Sequence, residues 1–120
     1  TSRDLLGTSG AGDGQAQITE VLERVRSDVG GALTVGELAA VAGLSVYQLN
    51  RRLRLLFGIT AGQLIIKSRV DAASEMLRSS SRSVAEVAHA CGYCDQSAFT
   101  RVFRRTVGLT PRQYRQRHRP

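Results

Sequence analysis

Residues 34–64 read TVGELAAVAGLSVYQLNRRLRLLFGITAGQL, and residues 83–114 read SVAEVAHACGYCDQSAFTRVFRRTVGLTPRQY. The second stretch repeats the first. Thr34, Val35, Glu37, Leu38 and Ala39 are answered by Ser83, Val84, Glu86, Val87 and Ala88, and Gly43 by Gly92, at an offset of 49. One residue is then inserted, and at an offset of 50 Leu49 pairs with Phe99, Arg51 with Arg101, Leu53 with Phe103, Arg54 with Arg104, Gly58 with Gly108, Thr60 with Thr110 and Gln63 with Gln113. A period of this size marks a duplicated supersecondary unit. Each copy opens on a capping box, Thr34 with Glu37 and Ser83 with Glu86. Gly43 and Gly92 end the first helix, where a left-handed residue costs glycine little. Ser45 and Asp95 cap a second helix, which Gly58 and Gly108 end. Helix, tight turn, helix is the unit that places a helix in the DNA major groove.

The rest of the chain is organised around these copies. Residues 1–14 carry Gly, Ser, Thr and Asp and read as linker or frayed terminus. Ile18, Val21, Leu22, Val25 and Val29 recur at helical spacing until Gly30-Gly31 stops the run. Between the copies, a long helix is predicted over about 61–78, with Leu64, Ile65, Ala72, Ala73, Met76 and Leu77 as apolar faces and Arg69 partnered. Thr110-Pro111 reads as cap and first residue of a short last helix anchored by Tyr114. Seven helices and no strand are expected.

The second helix of each copy has one apolar side, Leu49, Leu53 and Leu56 in the first and Phe99, Val102, Phe103 and Val107 in the second. Its other side carries Tyr47, Gln48, Asn50, Arg51 and Arg54, or Gln96, Ser97, Thr100, Arg101 and Arg104. Asn can bond adenine in bidentate fashion and Arg guanine; Ser, Thr and Gln reach base edges or phosphates. Charge alone would give nonspecific, salt-sensitive binding. A mixed polar set on a rigid helix, present twice with Arg at the same place, suits base readout. Thr34 and Ser83 begin the helix that crosses the backbone in such folds, where free amides can take a phosphate.

The charge points the same way. The chain has 120 residues, 17 basic and 10 acidic, for a net +7. Every acid lies at or before Asp95; the excess comes from Arg101, Arg104, Arg105, Arg112, Arg115, Arg117 and Arg119. A basic block without acids suits a polyanion, although residues 115–120 taken alone could equally be a solvated tail. Cys91 and Cys94 form a lone Cys-x-x-Cys. A structural zinc site needs four ligands, and His89 and His118 add no recognisable spacing; the thiols read as buried or incidental. No Ser/His/Asp set, carboxylate pair or phosphate loop suggests catalysis, and no metal or cofactor is expected. No run approaches the ~20 apolar residues of a membrane span, and no signal segment opens the chain, so a soluble cytoplasmic protein is expected. The absence of an initiator Met reads as a fragment of a longer one.

The string Ala88-x-x-Cys91-Gly92-Tyr93-x-Asp95-Gln96-Ser97-x-Phe99-x-Arg101-x-Phe103-Arg104-Arg105-x-x-Gly108-x-Thr110-Pro111-x-x-Tyr114-Arg115 closely resembles the signature of the AraC/XylS family of bacterial transcription regulators. The likeness runs from about residue 15 to 115. Leu38-Ala39 through Gly43-Leu44-Ser45 to Leu49-x-Arg51 fits as well; Leu53, where the family usually has Phe, departs on the apolar side. The resemblance implies an all-α DNA-binding domain over 15–120. Two helix-turn-helix units, about 34–58 and 83–108, would be joined by the central helix. Their recognition helices would enter successive major-groove segments about one turn (~34 Å) apart. By position, base contacts fall on Tyr47, Asn50, Arg51, Gln96, Ser97, Thr100 and Arg101. Phosphate contacts fall on Thr34, Gln48, Arg54, Ser83, Arg104 and Arg105. Because Leu55 is answered by Arg105, the second unit is expected to grip the backbone harder, with Asn50 and Arg51 giving the first much of its choice of sequence. The partners implied are double-stranded DNA, RNA polymerase, and an N-terminal effector or dimerisation domain outside this chain; the family habit is activation. Two other readings compete: a nonspecific nucleic-acid-binding helical module, and a fragment of an Ada-type alkylation-repair protein, whose zinc-bound cysteine cluster this chain lacks.

Overall fold

The computed structural model describes residues 10–31 and 33–119. They form seven helices and, among the described residues, no strand: α1 (Gly10–Ser27), α2 (Val35–Ala42), α3 (Val46–Phe57), α4 (Ala61–Ser79), α5 (Val84–Ala90), α6 (Gln96–Val107) and α7 (Pro111–His118). No described helix is long and apolar enough to cross a membrane.

The capping chemistry sets these boundaries. Thr34 Oγ1 accepts from the Glu37 amide at 3.1 Å while the Glu37 carboxylate accepts from the Thr34 amide at 3.0 Å. Ser83 and Glu86 repeat this at 3.1 and 2.8 Å. The bond from the Ser83 amide holds the Glu86 carboxyl below the usual carboxylate range. The repeat extends to the element after each unit: Thr60 with Gln63 and Thr110 with Gln113 form the same reciprocal pair at the starts of α4 and α7. Each box satisfies two of the amides a helix start leaves free. After α2, Gly43 turns left-handed (φ 69°) and the Leu44 amide folds back to the Ala39 carbonyl at 2.9 Å.

The chain divides into two units. The first holds α1, α2, α3 and the start of α4 to Leu64; the second holds residues 28–31 and 65–119. α4 is therefore one continuous helix shared between them. In the first unit α2 packs on both α1 and α3, burying Ile18, Val21, Val25, Leu38, Ala39, Ala42, Leu49 and Leu53. In the second, Val70, Ala73 and Leu77 of α4 meet Val87, Ala88, Cys91, Phe99, Phe103 and Tyr114. Aromatic rings run through that core: Tyr93 to Phe99 at 5.4 Å, Phe99 to Phe103 at 5.5 Å, and Phe103 edge-on to Tyr114 at 5.5 Å between centroids. Tilted and edge-on pairs of this kind add to plain area burial. Arg69 lies over the Tyr93 ring and donates to the Gly31 carbonyl at 3.0 Å, the partnership expected of it.

Two expectations need correction, and one open reading is resolved for Arg115. α1 begins at Gly10, so residues 10–14 are helical rather than linker; no proline interrupts them, and extending a formed helix is far easier than starting one. The remainder of the expected linker lies outside the described residues. Leu56 is 53% exposed rather than part of the buried stripe of α3, which is only Leu49 and Leu53. Successive residues turn by about 100°, so Leu56 sits at the edge of that narrow stripe. Arg115 is not part of a solvated tail. Half-buried on α7, it donates from Nε to the Leu77 carbonyl at 3.1 Å and from Nη2 to the Ser80 carbonyl at 3.4 Å, satisfying carbonyls that the end of α4 leaves free.

Candidate nucleic-acid interface

Burial of Leu49 and Leu53 turns the opposite face of α3 to solvent. Tyr47, Gln48, Arg51, Arg54 and Leu55 are all exposed there, Tyr47 at 73% and Leu55 at 78%. Tyr47, Arg51 and Leu55 are spaced four apart and form one row. With Ser45, Gln48 and Arg52 they line an open hollow of ≈ 650 Å³. Burial of Phe99 and Phe103 does the same for α6, exposing Gln96, Ser97, Arg101, Arg104 and Arg105, with Thr100 half-buried. Neither helix contains an acid. The one carboxylate at the mouth of α6, Asp95, is engaged by the Ala98 amide at 2.7 Å.

The capping residues are exposed but partly committed. The hydroxyls of Thr34 and Ser83 accept amide bonds, leaving their protons to donate. Gln48 closes a further box, its side-chain Oε1 accepting from the Ser45 backbone amide at 2.9 Å and its backbone N–H donating to Ser45 Oγ at 3.1 Å. Its side-chain NH₂ remains the group that can reach outward.

Asn50, expected to read a base, is engaged within the fold. It is half-buried, and its Oδ1 accepts from the Ala61 amide, the first of α4, at 2.8 Å. Bidentate adenine recognition needs that oxygen. The second copy explains the choice. The residue answering Ala61 is Pro111, which has no N–H to satisfy, so Thr100, which answers Asn50, is not required for this bond. Asn50 ties the recognition helix to the helix after it. Asn50→Ala is accordingly expected to cost about 1–2 kcal/mol, as loss of a helix cap does. In an Ala61→Pro background, with the donor gone, the cost should shrink; denaturant midpoints of the four variants measure this.

Arg52, which had no expected role, turns inward to donate to the Gln17 side chain on α1. Its counterpart Val102 packs on the core, and that substitution of cation by valine was the available sign that position 52 does not face outward. Of the two cysteines, Cys94 is exposed and is the residue inserted at the second turn, whereas Cys91 is buried. Burial pushes its thiol up from the ordinary range, which disfavours the thiolate that metal binding and redox chemistry use.

Comparison with known proteins agrees with this geometry. A family model described as a helix-turn-helix domain matches residues 38–117. The MmsAB operon regulatory protein of Pseudomonas aeruginosa is 36% identical over 95 residues, covering 79% of this chain and 31% of its own length. The HTH-type transcriptional activator RhaS of Salmonella arizonae is 30% identical over 107 residues, covering 89% and 38%. This chain thus spans about a third of the length of each relative. The solved DNA-binding domain of AdpA, a global transcriptional factor in complex with a target DNA, superposes with a TM-score of 0.73 at 34% identity, over 87% of this chain and 90% of that one. The family is one of regulators, not of enzymes. With its duplicated helix-turn-helix units and shared central helix, the chain belongs to the AraC/XylS family of transcription regulators.

Proposed function

We propose that this chain binds double-stranded DNA at a specific sequence, laying α3 and α6 in the major groove, and that it thereby activates transcription. The observation that carries this is the pair of matched, acid-free outer faces, each with an exposed Arg at the same place, Arg51 and Arg101. The DNA-bound AdpA relative and the activator name of RhaS support the reading. Base contacts are assigned to Tyr47, Arg51, Gln96, Ser97, Thr100 and Arg101, and phosphate contacts to Thr34, Gln48, Arg54, Ser83, Arg104 and Arg105. Asn50 is left out, because its acceptor is used within the fold. The chain acts in the cytoplasm as the DNA-binding part of a longer regulator, performs no catalysis, and shares the promoter with RNA polymerase.

Selection of bound sequences from a random duplex pool, followed by substitution, tests the assignments. Arg101→Ala is expected to cost about 1–3 kcal/mol on the selected site and to relax the preference at one base position. Arg105→Ala should weaken selected and scrambled duplexes alike and reduce the salt slope by about 1. If Arg101→Ala weakened both duplexes equally, base readout by Arg101 would be wrong.

A further inference from the structure

One residue on the outer face of α3 has no partner in the scheme so far. Leu55 is 78% exposed, the most exposed of the large apolar residues among those described. It continues the row Tyr47–Arg51 by one more turn and lines the same hollow. Its counterpart in the second unit is the cation Arg105. Leucine neither donates nor accepts a hydrogen bond, so at this place the first unit can neither hold a phosphate nor read a base edge by hydrogen bonding.

We infer that Leu55 is a specificity-determining residue that packs against the C5-methyl group of a thymine. The inference rests on the proposed placement of α3 in the major groove. The hollow that Leu55 lines also has Arg51 on its wall and no acid, which suits the edge of a polyanion such as DNA. The apolar group that double-stranded DNA offers in the major groove is the thymine methyl. Four residues of helix separate Leu55 from Arg51, a rise of about 6 Å at 1.5 Å per residue. At about 3.4 Å per base step, the thymine lies within roughly two base pairs of the base Arg51 reads. The two units therefore differ in kind at the end of the row: the second adds a sequence-blind grip on the backbone, and the first adds a preference for a methyl-bearing base.

The test uses the duplex selected by the wild-type chain. Each thymine in the half bound by the first unit is replaced singly by deoxyuridine, which lacks only the methyl group. At one position the wild type should lose about fourfold in affinity, the effect of one buried methyl. Leu55→Ala should bind the thymine duplex several-fold more weakly than the wild type does, and should be indifferent to uracil at that position. An exposed leucine can be removed without harm to the core, so unfolding midpoints should not move. Leu55→Lys, restoring a cation as in the second unit, should raise affinity on all sequences and steepen the salt dependence. Wild-type affinity for Leu55→Ala, or undiminished uracil sensitivity in it, overturns the inference. So does concentration-dependent self-association of the wild type that Leu55→Ala abolishes, which would assign the row to a second copy. Failure to select any site at all would sink the proposed function itself; a selected site with no methyl coupling sinks only the role of Leu55.

Discussion

Phe103→Ala is expected to lower the thermal midpoint of the protein by at least about 9 °C, the largest effect of any single substitution considered. Phe103 is fully buried and stands between Phe99 and Tyr114 in the ring series of the second unit. Truncating a buried phenylalanine costs about 3–5 kcal/mol, because transfer energy and the cavity left behind add. In a chain of this size, 1 kcal/mol moves the midpoint by about 3–6 °C. Tyr114 would lose its edge-on partner at the same time. Because Phe99 and Phe103 are what turn the polar face of α6 outward, site-specific DNA binding should fail along with stability. Calorimetry or a melt followed by circular dichroism measures the shift; a drop under about 4 °C would show that the ring series is not what holds this unit together.

Gly92→Ala and Gly43→Ala should differ sharply, although the two glycines occupy matching places in the repeat. Both are left-handed, φ 69° at Gly43 and 87° at Gly92, and a side chain in that conformation costs about 1–2 kcal/mol. At Gly43 an added Cβ meets nothing within 4 Å. At Gly92 it meets the Val29 carbonyl oxygen at 3.1 Å, the Gly31 carbonyl oxygen at 3.3 Å and the Arg69 guanidinium carbon at 3.4 Å. Two of these are backbone atoms of the 28–31 segment, and the third belongs to the side chain that holds that segment through Gly31. Inserting a methyl group there adds overpacking of about 1–3 kcal/mol. Gly43→Ala should therefore cost about 1–2 kcal/mol and Gly92→Ala about 2–5 kcal/mol. Equal denaturant midpoints for the two variants would contradict the close approach.

Much of this architecture was legible because it depends on local chemistry. Capping boxes, helix-ending glycines and the Phe99/Phe103 stripe act within a few residues, so the letters alone place α2, α3, α5 and α6. What escaped notice depends on contacts distant in sequence. Arg115 satisfies carbonyls at the end of α4, 35 to 38 residues away, and no spacing rule links them. Arg52 and Gln17 meet across 35 residues. Asn50 is the instructive case: its type and position suited base readout, yet Ala61, 11 residues on, claims its oxygen. The sign was in the repeat, where Ala61 is answered by a proline, but it becomes readable only once the two amide positions are known to be equivalent. Leu56 failed for a simpler reason, since periodicity marks the centre of an apolar stripe better than its edge.

The two matched faces should choose a DNA sequence. The most direct test is the affinity of the intact chain for its selected duplex and for a scrambled duplex of the same composition, measured over a range of salt. The selected duplex should be preferred by at least about a thousandfold, and the preference should persist as salt rises while both affinities fall. Equal affinity for the two duplexes, with the same salt slope, would contradict it and leave a basic helical domain that binds DNA by charge alone.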